Sequence, residues 1–326
     1  MFATLLGALP APPLGAGDPL DLVLRAQEEA GVEPVTDGRL SSPDLADLAT
    51  RLDGIERGPN GTLRATRLPR RSGPLAVDAW LAAASRTDRA VKQALPGPYS
   101  LLQRVDLAGL DPDAVLAALA EALREEVLDL AAAGCALVEI EETEAHRIGE
   151  DPTERARFRN AHLRLADGTT GTHLSLSIVG GSAAGAGVET ILAAPYASLA
   201  VDLIAGPDNW YLVTAAPGDR GIVAGVIEPV AGSDDRPELP VWAAHYAAST
   251  GGRGLARIGL GTAGGLGGLS WAVAAKKLRS LGEAARIAGL PADQQVAVLD
   301  PRALDIRTAA MGRRAEPPKR PPRRRP

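Results

Sequence analysis

The chain has 326 residues, a formal net charge of −5, 45% apolar residues and only 3% aromatic ones. Its core must therefore rest on Ala, Val, Leu and Ile rather than on rings. A single cysteine, Cys135, excludes an internal disulfide framework and a multi-thiolate metal site, and it suits a reducing cytoplasm.

The opening "MFATLLGALPAPPL" is apolar, yet no basic residue precedes its apolar run, and Pro10, Pro12 and Pro13 interrupt it. It predicts a strand running into a loop rather than a secretory signal. No uninterrupted apolar stretch reaches the roughly 18 residues that a membrane span needs, so no membrane association is expected. Further strands are predicted at "PVTDG" (34–38), "QALPGPY" (93–99), "CALVEIEE" (135–142), "HLSLSIVGG" (173–181), "LAVDLIAG" (199–206), "GIVAGVIEP" (221–229) and "LARIGLGTAGG" (255–265). With "TLLGALP" (4–10) these make eight, and alanine-rich helical stretches separate most of them, the pattern of a parallel α/β sheet.

Residues 54–78 break the rhythm, and "PNG" at 59–61 signals a β-hairpin inserted after strand two. In "DPDAVLAALAEALREEVLDLAAAG", Asp111 can cap a helix, Pro112 can open it and Gly134 can end it, leaving Glu125 and Glu126 facing water. A second clear helix, "LSWAVAAKKLRSLGEAARIAG", ends at Gly289. The expectation is a single (β/α)8 TIM barrel over residues 1–312, with its working residues at the C-terminal ends of the strands. Residues 313–326, "RRAEPPKRPPRRRP", carry seven basic residues against Glu316, a net of +6, which leaves −11 for the rest. Such a Pro/Arg-rich stretch cannot build a core and is predicted to be a disordered tail, suited to an acidic partner or nucleic acid.

Strand four is the most polar, with Glu139 and Glu141 on one face and Glu142 on the other. Carboxylates at a strand end can act as acid or base, bind an amine or hold a cation, while Glu142 and Glu144 also read as a solvated loop. On strand five His173 and Ser175 share a face, and Asp202 stands in an apolar run where it needs a partner if buried. "GLGTAGGLGG" lacks the Lys-Ser/Thr pair of a phosphate loop and reads as close-packed or mobile.

Taken in order, "ATLLGALPAP", "PVTDGRLSSPDL", "LPGPYSLL", "ALVEIEETEA", "DGTTGTHLSLS", "LAVDLIAG" and "GLGTAGGL" resemble the C-terminal catalytic barrel of cobalamin-independent methionine synthase. The uroporphyrinogen decarboxylase barrels belong to the same superfamily. The resemblance implies a methyltransferase fold with a zinc site of one His, two Cys and one Glu. Here the matching positions hold His173, Ser175, Asp202 and Ala263, so a thiolate-bound zinc is not expected. The family's Gly-Ser, Asp-Gly-Glu and Asp-Glu-Pro stretches read Gly7-Ala8, Asp37-Gly38-Arg39 and Glu141-Glu142-Thr143. An arginine where the family has a carboxylate implies an anionic substrate, or a structural Arg39–Glu141 ion pair. The resemblance also suggests Trp210 and Trp271 as stacking partners for a pterin, against the plainer reading of core residues.

Three functions remain open on this reading. One is a divergent enzyme on a small anionic substrate, with His173, Glu141 and Asp202 catalytic and Arg39, Asp37, Ser175 and Glu139 binding. Another keeps Mn, Fe or Mg on His173, Asp202 and Glu141. The last is a non-catalytic binding or scaffold barrel whose basic tail does the work.

Overall fold

A computed structural model describes residues 1–58 and 60–300. The tail, its boundary at residue 312 and Pro59 of the hairpin turn lie outside the described residues. The strands are β1 (Phe2–Thr4), β2 (Leu52–Arg57), β3 (Leu63–Arg71), β4 (Lys92–Pro96), β5 (Val105–Asp106), β6 (Leu137–Glu142), β7 (His173–Ile178), β8 (Ser198–Asp202), β9 (Gly221–Ile227) and β10 (Ile258–Thr262). The α-helices are α1 (Pro19–Glu29), α2 (Val77–Ala84), α3 (Pro98–Arg104), α4 (Pro112–Ala132), α5 (Pro152–Ala166), α6 (Val188–Ile191), α7 (Trp210–Ala215), α8 (Glu238–Ser249), α9 (Trp271–Ala288) and α10 (Ala292–Val298).

Seven strands form one parallel, curled sheet in the order β1-β10-β9-β8-β7-β6-β4. The second expected strand, 34–38, is not one. Pro34 has no N–H for a ladder, and Gly38 and Arg39 both take positive φ (67° and 57°), turning the chain away. Only the bridges Ala3–Glu33 and Val35–Val91 form there. Even so, this segment joins the sheet edges β1 and β4: Glu33 N–H donates to Ala3 O (2.8 Å), Val35 N–H to Ala90 O (2.9 Å) and Lys92 N–H to Val35 O (3.0 Å). The predicted hairpin appears as the antiparallel pair β2–β3.

Helix α4 starts as its sequence dictates, with Asp111 accepting from Ala114 N–H and Pro112 at the first position. Glu125 and Glu126 do not both face water. Glu126 is fully buried and accepts from the N–H groups of Leu75 (2.9 Å), Ala76 (2.6 Å) and Val77 (3.1 Å), while Arg71 pairs with it at 2.8 Å. It thereby satisfies the free N–H groups that open α2, whose own N-cap, Ala76, offers no side-chain acceptor.

The helix-facing core is one continuous cluster, whereas Leu6, Ala200, Val223 and Phe2 form a separate one. Register explains the second cluster. Glu141, Ser177, Ala200, Val223, Gly259 and Phe2 are paired in succession across the sheet, so they share its inner face. Glu139, Ser175, Ser198 and Gly221 form the row two residues earlier on that face. "GLGTAGGLGG" is close-packed at one point, where a Cβ on Gly7 (φ 88°) would fall 2.3 Å from Gly265 Cα. No helix among the described residues is long and apolar enough to cross a membrane.

Candidate functional site

The C-terminal rim of the sheet carries the charged constellation. Asp37 accepts from Arg39 N–H (2.9 Å), which closes the turn that aims Arg39 inward. Its guanidinium meets Glu141 through two contacts, one of them Nη1 to Oε1 at 3.1 Å. Both side chains are buried, 9% and 6% exposed. Burial opposes the Arg39 charge, but Glu141, Glu139 and Asp37 outweigh it and raise the guanidinium pKa. Asp37 is pushed up by burial, against the pull of the Arg39 N–H and charge.

A cavity of about 340 Å³ opens beside this pair, bordered by Arg39, Glu141, Ser100, Arg104, Asp44 and Glu144. Arg104 is paired with Asp44, and Glu144 with Arg147 (2.8 Å).

Glu142 is not part of a solvated loop. It is fully buried on the helix side of β6 and accepts from Tyr99 N–H (3.0 Å), Ser100 N–H (2.7 Å) and the Ser100 hydroxyl. His162 Nε2 stands 2.9 Å from it, and His162 Nδ1 is 2.6 Å from the Tyr196 hydroxyl. A Cβ on Gly97 would collide with the Glu142 carboxyl at 2.1 Å, so only glycine admits this approach to α3. Sequence reasoning passed over His162. Its position four residues after Phe158 on α5, in phase with the buried stripe, was the available signal.

Asp202 ends β8, where Oδ1 accepts from Ile204 and Ala205 N–H (2.9 Å each), a turn-closing arrangement. Burial raises its pKa against those backbone donors. Ala263 follows β10, buried and without a polar side-chain atom.

His173 lies elsewhere. It is the first residue of β7, and its N–H donates to Ala136 O (2.8 Å), which fixes it at the N-terminal rim. It precedes Ser177, the partner of Glu141, by four residues, or about 13 Å along a strand. His173 thus does not join Arg39, Glu141 or Asp202, and the His173–Asp202–Glu141 metal set does not assemble. Among the described residues no three His, Cys, Asp or Glu side chains gather as a metal-binding group. Nor do His173, Ser175, Asp202 and Ala263 fit a thiolate zinc centre, since they span both rims and offer no sulfur. Instead, His173 Nε2 contacts the Ser198 hydroxyl (2.8 Å), which donates to Ser175 Oγ (2.8 Å). Burial of the ring lowers the His173 pKa. Lys92 on β4 and Glu139 on β6 form a second buried pair at 2.9 Å.

Trp210 is held by Trp242 and Tyr246, with ring centroids 5.5 and 5.1 Å away.

Comparison with known proteins gives a consistent answer. Residues 75–230 match the model of the cobalamin-independent synthase N-terminal domain. The resemblance read from the residues was to the C-terminal catalytic barrel of that family, so the family agrees and the matched domain is the other one. A 5-methyltetrahydropteroyltriglutamate–homocysteine methyltransferase of Corynebacterium efficiens is 33% identical over 159 residues, 45% of this chain and 21% of that protein. Its counterpart in Thermotoga petrophila is 32% identical over 137 residues, covering 37% and 18%. The chain thus spans about a fifth of the length of these curated relatives. Two solved structures share the fold over nearly their whole length. A B12-independent methionine synthase from a Shewanella species, in complex with selenomethionine, has a TM-score of 0.74 at 16% identity, covering 91% of this chain and 99% of its own. A vitamin-B12-independent methionine synthase described as putative, from Listeria monocytogenes, has 0.71 at 18% identity, covering 88% and 97%.

Proposed function

Because the chain belongs to the cobalamin-independent methionine synthase-like family, we propose that it is a divergent barrel of that family, with the segment at 33–36 as its eighth stave. On this reading it takes a small carboxylate-bearing molecule at the C-terminal rim and works without thiolate-bound zinc. The observation that carries the reading is the buried Arg39–Glu141 pair beside a cavity of about 340 Å³.

A simple anion that displaced Glu141 from the guanidinium would leave a buried carboxylate without its partner, a cost of several kcal/mol. An amino-acid zwitterion avoids that cost, because its carboxylate can meet Arg39 in a bidentate fork while its ammonium meets Glu141. The selenomethionine of the Shewanella protein is such a molecule. Calorimetric titration with L-methionine, its deaminated analogue and its decarboxylated analogue tests the proposal. Methionine alone should bind appreciably, and equal binding by the three, or none, refutes it.

A second reading, a non-catalytic scaffold, has its own support. Arg39, Arg104, Glu142 and Glu144 each already have a partner, and His173 is remote from them. No acid or base in that set is left over for proton transfer. Substrate turnover in any assay that the Arg39→Met/Glu141→Leu variant loses would exclude the scaffold.

A further inference from the structure

The largest opening onto the inner face of the sheet is not at the rim just described. A cavity of about 810 Å³ enters from the opposite, N-terminal rim. Its walls come from the first residues of six strands: Phe2, Lys92, Leu137, His173, Ser198 and Gly221. The reason lies in the sequence. Parallel barrels and half-barrels normally fill their inner rows with Val, Ile and Leu. Here an inner row close to this rim is Glu139, Ser175, Ser198 and Gly221, and its two serines and its glycine leave the space open.

The floor is a built polar site. Lys92 and Glu139 are 1% and 2% exposed, and Lys92 Nζ donates to Glu139 Oε2 at 2.9 Å. Glu139 Oε1 has no hydrogen-bond partner among the described residues. An orphaned buried acceptor of this kind is costly and rare. Lys92 has three N–H donors, and the bond to Glu139 uses one. A donor and an acceptor thus stand side by side, with no net charge between them. Beside them run Ser175, Ser198 and His173, joined by hydrogen bonds. Above the floor the wall is apolar, with Phe2, Leu137 and Val223.

We infer that this cavity is a second binding site, for a neutral molecule with an apolar body and an amide edge. The amide N–H donates to Glu139 Oε1, the amide C=O accepts from Lys92 Nζ, and the body lies against Phe2, Leu137 and Val223. A carboxylate head would face Glu139 with like charge, and an ammonium head would face Lys92 in the same way. The neutral pair therefore selects a neutral head.

Benzamide, benzoate and benzylamine share one ring and differ only in that head, which makes them the probes. Titrated into the full chain carrying ¹³C-labelled methyl groups, benzamide should bind at least tenfold more tightly than either ion. It should also shift the methyls of Leu137 and Val223. Glu139→Gln leaves Lys92 uncompensated and should move the preference to benzoate by a similar factor. Equal or absent binding of the three overturns the inference. So do shifts confined to Leu45 and Leu101 at the other rim, or an unchanged order in Glu139→Gln. If that variant fails to fold, the methyl map of the unaltered protein still decides.

Discussion

Arg39 and Glu141 are 102 residues apart in sequence, yet guanidinium and carboxylate meet through two contacts at the C-terminal rim, nearly shut off from water. A buried pair of this kind makes a net contribution quite different from the cost of breaking it. Arg39→Met alone strands the Glu141 carboxylate, and Glu141→Leu alone strands the guanidinium. Each should lower unfolding free energy by about 3–5 kcal/mol. The double variant Arg39→Met/Glu141→Leu should recover most of that loss. Urea unfolding of the four proteins closes a double-mutant cycle, and additive single effects would mean that the two side chains do not act as a pair.

Glu126 gives a second and independent test. Its carboxylate serves three backbone N–H groups at the start of α2 and the Arg71 side chain. Glu126→Ala should cost about 3–5 kcal/mol, since it leaves buried donors and an arginine without their acceptor. Glu125→Ala, its neighbour along α4, should stay within about 0.5 kcal/mol. Comparable losses in the two variants would contradict the capping role.

These residues also show where the sequence was legible. The sheet strands after the second announced themselves through apolar runs and bounding turns, and each observed strand lies within or beside its predicted span. Segment 34–38 looked the same by composition, but Pro34 and the positive φ of Gly38 and Arg39 limit it to single bridges. Glu126 was read as solvent-facing although it stands three residues after Leu123 and four before Leu130, in phase with the buried stripe. Glu142 likewise shares its face of β6 with Val138 and Ile140, the face toward the helices. A carboxylate in phase with a core stripe marks a buried partner rather than a loop. For His173 alternation gave the correct face, but the rim depends on where along the strand a residue falls, and His173 is the first residue of β7.

Asp202 yields a pH dependence whose sign follows from its burial. Burial raises its folded-state pKa above the ordinary aspartate value. Between the unfolded and folded values the folded protein holds the extra proton, so stability falls as pH rises through that window. Its favourable contribution is complete below the unfolded value and lost above the folded one. Asp202→Asn keeps a side-chain oxygen for the Ile204 and Ala205 N–H groups and cannot ionise. Relative to the parent, it should be more stable at pH 7 than at pH 3. The difference should develop in the acid range, in chemical-denaturation curves taken from pH 3 to 7. A difference that shrinks with rising pH would mean that the Asp202 pKa is lowered instead.

Cys135 is 1% exposed, and its thiol donates to Leu137 O at 3.2 Å. Burial pushes its pKa up to about 11. At pH 8 only about one thiol in a thousand is then ionised, roughly a hundredfold fewer than for a free cysteine, and only the thiolate attacks electrophiles. Lack of access slows the reaction further. Iodoacetamide at pH 8 should therefore label the native protein at least a hundredfold more slowly than the urea-unfolded chain. Labelling should follow opening of the structure rather than the thiol's own titration. Mass spectrometry of timed samples reads both rates, and native labelling as fast as that of the unfolded chain would place Cys135 at the surface. Cys135→Ser should leave the zwitterion and amide binding described above unchanged. The thiol lies on the helix side, among the core residues behind β6, and borders neither cavity.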